Sequence, residues 1–230
     1  METKLSKKIN WEKCDPWLKR IAQFASILTS IALAVFAGMQ IYINDRIHEE
    51  DKALHQPIFQ IKEHYYKSEG SDIYDYEEME VYNNGESVQQ FNNVKISTYL
   101  RFAYWNNEVR DTFYIPINGY FSATYSTPNL TGQIKYTETV YLNYGEFGRI
   151  LNETRHSSAS SEITDVLLIH VTKINYIDLF GEKRSRVFIN KNMADEKQVA
   201  KIEQRSKEKF IHPWFINELS LSKIKEICYK

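Results

Sequence analysis

VKISTYLRFAY, residues Val94–Tyr104, alternates without a break: Val94, Ile96, Thr98, Leu100, Phe102 and Tyr104 fall on one side of an extended chain, and Lys95, Ser97, Tyr99, Arg101 and Ala103 on the other. A two-residue repeat of this kind marks a strand with one face buried and one face turned to water. The period recurs at Met79 and Val81 against Glu78 and Glu80, at Phe113, Ile115 and Ile117, and at Ile134, Tyr136, Val140, Leu142 and Tyr144. DVLLIHVTKINYIDLF (165–180) reads as a longer, more buried strand, with SRVFIN (185–190) as its successor. Turn-forming residues separate the runs: NNGES (83–87), WNNE (105–108), NYGEFG (143–148) and DLFGEK (178–183). Many short strands with few helical signals between them predict a mainly β domain over residues 57–190, an antiparallel β-sandwich or a barrel-like fold.

Upstream the pattern is different. Between Arg20 and Asp45 no side chain is charged, and residues 21–43 as a helix extend about 35 Å at the standard rise, enough to cross a bilayer. Gln23, Ser26, Thr29, Ser30 and Gln40 are the only non-aromatic polar side chains there, too few for the polar face of a soluble core helix. A secretory signal is the closer rival, with Ala32-Leu33-Ala34 as a cleavage-like triplet, but its apolar core is typically shorter, about 7–15 residues. The length predicts an uncleaved transmembrane helix at 21–43, between a basic flank at 1–20 and a polar connector at 44–56.

Within that helix Ala22, Ser26, Ser30, Ala34 and Gly38 recur every fourth residue and line one ridge. Small residues at this spacing let two helix backbones approach closely, so the ridge is a candidate contact for a homo-oligomer. Lys4, Lys7, Lys8, Lys13, Lys19 and Arg20 precede the span, whereas acidic residues dominate just after it. Counting only Lys and Arg, this bias holds the N-terminus in the cytoplasm and exports the domain; the free thiol of Cys228 argues for the opposite topology. Trp11, Trp17 and Tyr42 suit the two membrane interfaces.

Residues 191–230 return to a helical period. Asn192 is a plausible N-cap, Asp195 and Glu196 suit a first turn, and Val199, Ile202 and Phe210 share a face. Pro213 breaks this helix, and ELSLSKIKEICYK (218–230) offers a second short one with Leu219, Ile224 and Ile227 inward, in what reads as a solvated helical tail.

The net charge of −1 gives no electrostatic case for nucleic acid, which requires a strongly basic surface. Cys14 and Cys228 flank the span and have no metal-spaced partners, so neither a disulfide framework nor a zinc site is expected. The eight glycines form no phosphate-binding loop, and no G-x-S-x-G or H-E-x-x-H motif is present. Neither a cofactor nor a catalytic set is expected. His170, on the most apolar strand, reads as a hydrogen-bonded core residue. SDIYDYEEMEVY (71–82) gathers Asp72, Asp75, Glu77, Glu78 and Glu80, but alternate strand residues point apart, which favours a solvated face over a calcium site. The 16 tyrosines offer stacking surfaces for a sugar or peptide, and Asn129-Leu-Thr and Asn152-Glu-Thr match the glycosylation acceptor pattern.

The succession of basic N-terminus, single span, QPIFQIKEHYY, EMEVYNNGESV and INYIDLFGEKRSRVFI resembles uncharacterised bacterial single-pass membrane proteins that carry a small β-sandwich after one anchor. The resemblance implies that architecture and a bacterial envelope setting. The expected function is non-enzymatic binding, accessory or sensing work by a membrane-anchored domain, with an unidentified protein or small ligand as partner. The alternatives are a cytoplasm-facing defence or signalling component whose ligand controls association of the spans, and an exported carbohydrate-binding or hydrolytic domain.

Overall fold

Helix α1 spans Pro16–Leu54 without interruption in the computed structural model, which describes residues 16–72, 74–106, 109–122, 125–126, 130–140, 142–157 and 163–228. The helix is long and apolar enough to cross a membrane. Thr29 and Ser30 return their hydroxyls to the carbonyls of Ala25 and Ser26 at 2.8 and 2.9 Å, so these polar groups are satisfied within the helix. The expected connector is itself helical as far as Leu54. Its charges support it through Arg46–Glu50 at 3.6 Å and Lys52–Glu49 at 3.3 Å, pairs that lie on one helix face at three- and four-residue spacing.

The chain divides into two compact units after Leu54. In the second unit, β1 (Phe59–Tyr66), β2 (Tyr76–Asn83), β5 (Tyr125–Ser126) and β6 (Gly132–Glu138) form an antiparallel sheet in the order β1-β2-β6-β5. A second antiparallel sheet runs β4-β3-β7-β8-β9, from β3 (Gln90–Asn106), β4 (Val109–Ile117), β7 (Ile163–Ile177), β8 (Lys183–Ile189) and β9 (Asn192–Ala194). Helix α2 (Asn143–His156) lies between β6 and β7, and α3 (Glu196–Lys209), a 3₁₀ turn (Ile216–Glu218) and α4 (Leu221–Cys228) follow β9.

Helix and strand therefore take roughly equal shares, which corrects the expectation of a mainly β chain. The inner face of the larger sheet is covered in two halves. Ile174, Tyr176 and Phe188 pack with Ile61, Met79, Val81 and Ile134 of the smaller sheet. At the other end Leu100, Phe102, Tyr104, Phe113 and Ile115 pack instead with Phe147 and Ile150 of α2 and with Leu219, Leu221 and Ile224 of the C-terminal segment. On the outer face α3 covers Tyr99, Ile169, Val171 and Val187 with Val199 and Ile202.

Three readings change. NYGEFG is the first turn of α2, entered through Leu142 in the left-handed conformation (φ 64°), with the Asn143 amide donating to the carbonyls of Gly119 and Tyr120 at 2.9 and 2.8 Å. Helix α3 is capped by Asp195, whose side chain accepts from the Lys197 N–H while Gln198 reaches back to the cap; Asn192 belongs to β9. The C-terminal helix is a wall of the core, because its apolar residues have the uncovered end of the larger sheet to fill. Arg149 fixes it there by donating to the Leu219 carbonyl at 2.7 Å, and Glu153 accepts from the Leu221 N–H at 2.9 Å.

Ile224 is fully buried. Its replacement by alanine is expected to cost about 2–5 kcal/mol in chemical denaturation, the range of a core deletion, where a solvated tail would show about 0.5 kcal/mol or less.

Candidate functional site

At the junction of the two inner clusters the core turns polar. In β2, Met79 and Val81 face inward, so alternation also turns Glu77 inward, where it is 0% exposed. In β7 the same parity places His170 on the inner face at 3% exposure. Their side chains meet across the sheets, with Glu77 Oε1 3.1 Å from His170 Nε2. Tyr120, in the crossover that follows β4, donates to Glu77 Oε2 at 2.7 Å, and the Glu77 N–H donates to the Thr139 hydroxyl at 3.2 Å. Thr98 of β3 lies 3.0 Å from His170 Nδ1. The contact with Nε2 is one of proximity, since Glu77 Oε1 is buried without a hydrogen-bond partner, and the tautomer of the ring sets which atom donates between Thr98 and Nδ1. Burial first, then the Glu77 charge, hold the Tyr120 hydroxyl well above the usual tyrosine range, which keeps it a donor.

Glu63 of β1 extends the network. Its side chain is 4% exposed, Tyr65 donates to Oε2 at 3.3 Å, Lys191 stands 3.8 Å away, and Oε1 has no hydrogen-bond partner. Burial raises its pKa above the ordinary glutamate value; the His170 and Lys191 charges oppose the shift and Glu77 adds to it.

Beside this network a cavity of about 620 Å³ opens along residues 93–99 of β3, the chain from Pro116 to Ser122, Lys135 and Pro213. Thr98 and Tyr120 belong to both, so the cavity and the buried pair share a wall. Lys135 reaches it by the alternation of β6, opposite buried Val81 as buried Thr137 is opposite Met79, and a bulge follows. Val81 pairs with Lys135 and the next residue, Tyr82, pairs with Gln133, which leaves Ile134 as an extra residue in β6. Ile134 and Lys135 are consequently both buried, and the side-chain face expected for Ile134 and Tyr136 is inverted beyond this point: Thr137 is buried and Tyr136 is half-buried.

The order hydroxyl, imidazole, carboxylate at Thr98, His170 and Glu77 is the connectivity of a nucleophile with its base. Here the imidazole is enclosed by the rings of Tyr120 and Phe121 at 5.3 and 5.1 Å and ties two sheets together, the setting of a structural clamp. The acidic run is not a uniform solvated face, since Asp75 and Glu77 are buried. Asp75 accepts from the Ser68 N–H at 2.8 Å and from the Ser68 hydroxyl, closing the β1–β2 loop. Among the described residues no group of three His, Cys, Asp or Glu could hold a metal ion. Ala22, Ser26, Ser30, Ala34 and Gly38 all lie on α1, with open space where a Cβ at Gly38 would stand. Cys228 closes α4 and Asn152 lies on α2, whereas Trp11, Cys14 and Asn129 fall outside the described residues.

No protein-family model matches this chain, and no curated protein or solved structure matches it. Its function is read from its own geometry.

Tyr120→Phe removes a hydrogen bond to a buried carboxylate while keeping the ring. A loss of about 1.5–3 kcal/mol is expected in equilibrium unfolding, against about 0.5 kcal/mol or less if Glu77 needs no donor there. For Glu63 the sign is opposite: a carboxyl with a raised folded-state pKa makes stability fall as pH rises from its unfolded pKa through its folded one. Glu63→Gln should therefore stabilise the protein at neutral pH, and the gain should vanish below about 4.5, where the wild-type side chain is protonated as well. A pH-independent difference in denaturation midpoints would refute this.

Proposed function

We propose that this is a single-pass membrane protein of a bacterial envelope whose β domain, a small sandwich completed by helices, binds a small ligand without chemically changing it. The observation that carries the reading is the cavity of about 620 Å³ between Asn93–Tyr99 and Pro116–Ser122, a volume within the range of small-molecule sites. Thr98 and Tyr120, which line it, are hydrogen-bonded to His170 and Glu77, so occupancy bears on the contact between the sheets. That coupling suits a sensing or accessory role better than catalysis. Helix α1 serves as the anchor, and the small-residue ridge from Ala22 to Gly38 is its contact with a second copy. The lysine and arginine bias favours a cytoplasmic N-terminus and an exported domain. A cytoplasm-facing signalling component in which ligand controls span association is the second reading, supported by the same cavity and the same ridge.

Native mass spectrometry of the full-length chain, extracted in mild detergent, tests ligand binding. Wild type is expected to carry a small-molecule adduct that Asn118→Trp, which fills the rim of the cavity, loses. An empty wild type, or an adduct retained at the same occupancy in the variant, sinks the reading. Protease added to intact spheroplasts decides topology: digestion of the β domain from outside excludes the cytoplasm-facing alternative. On native gels Ala34→Leu combined with Gly38→Leu should reduce oligomer size, and an unchanged size removes the ridge from the account.

A further inference from the structure

Lys135 is 8% exposed, and among the described residues no carboxylate pairs with it. Of the three N–H bonds of its ammonium, the Val94 carbonyl accepts one. Burial lowers its pKa, so the charge is held at a cost that an apolar side chain of the same length would avoid. A partly unsatisfied, buried cation on a cavity wall is better explained by a ligand than by folding.

The backbone beside it supplies further donors. Trp214 exchanges hydrogen bonds with β4 at Pro116 and Asn118, both at 2.8 Å, so the backbone groups of Ile117 turn the other way, toward its partner Thr98. Alternation along β3 then turns the N–H groups of Ile96 and Val94 toward the same side. There β4 has already ended, and the cavity takes its place. The charged residues lining the cavity are Lys95 and Lys135, with no Asp or Glu. Glu77 lies behind Tyr120, its Oε2 already taken by that hydroxyl.

We infer that the cavity takes a small anion, a carboxylate or phosphate group held by the Lys135 ammonium and the open edge of β3 at Val94 and Ile96. This rests on the cavity being a ligand site and adds the chemistry of what it binds. The group could belong to a soluble metabolite or to a lipid headgroup, and both would present the same oxygens to Lys135.

The test uses the full-length protein in phosphatidylcholine nanodiscs, with unfolding midpoints recorded against inorganic phosphate at constant ionic strength, and again in phosphatidylglycerol nanodiscs without phosphate. Wild type is expected to show a saturable rise of about 2–4 °C when phosphate is several-fold above its dissociation constant. If the ligand is a headgroup, the rise comes instead on changing the lipid. Lys135→Met should abolish either rise while keeping or raising the midpoint in plain phosphatidylcholine, and Lys135→Arg should retain the response. A wild type that responds in neither arm, or a rise of equal size in Lys135→Met, overturns the inference. An adduct by mass spectrometry that Lys135→Met keeps and Asn118→Trp loses would remove the anion and leave the ligand site standing.

Discussion

Glu77 holds the two sheets in a fixed relation. It enters from the smaller sheet, meets His170 in the larger one, takes the Tyr120 hydroxyl from the crossover between them, and donates its backbone N–H to Thr139. A buried polar contact of this kind adds little net stability over an apolar filling, because desolvation cancels most of the attraction, but removing one partner strands the other. What the arrangement enforces is register. A one-residue slip of β2 would turn Met79 and Val81 to water and bring Glu78 and Glu80 to the inner face. The polar junction also separates the core into a half built by the second sheet and a half built by α2 and the C-terminal segment.

That division explains why the domain needs its helices. The smaller sheet reaches only part of the long strands β3 and β7, and the remaining apolar surface around Leu100, Phe102 and Phe113 would face water without Phe147, Ile150 and Ile224. Ion pairs of Arg149 with Glu146 and Glu153, at partly exposed positions, contribute modestly. Their value is geometric: the same Arg149 and Glu153 bond the backbone at Leu219 and Leu221, so α2 and the C-terminal segment are set as one unit.

Where one face of an element is buried and the other is wet, the sequence is readable, and β3, β7, β8 and α1 follow directly from their periods. Glu77 was equally accessible, since extending the parity of Met79 and Val81 by two residues points it inward; its charge, and the acids around it, argued for the surface. Helix α2 was hidden by Gly145 and Gly148, which imitate turn chemistry, and by a left-handed entry at Leu142 that no side-chain cap announces. The cavity could not be read at all. It arises where β4 stops pairing with β3, and strand length relative to a neighbour is a property of the assembled sheet.

The bulge at Ile134 lets two successive residues of β6 leave the solvent. Lys135 lies opposite Val81 and Gln133 opposite Tyr82, so Ile134 stands unpaired between them. Lys135 follows the parity of Thr137 into the interior, and the extra residue turns Ile134 inward as well, into the cluster around Met79 and Val81. Deleting Ile134 would leave Lys135 opposite Val81 and restore plain alternation, taking an apolar side chain out of the core while the cation kept its place. The apolar packing and the charge of this strand are therefore separable by one codon's length.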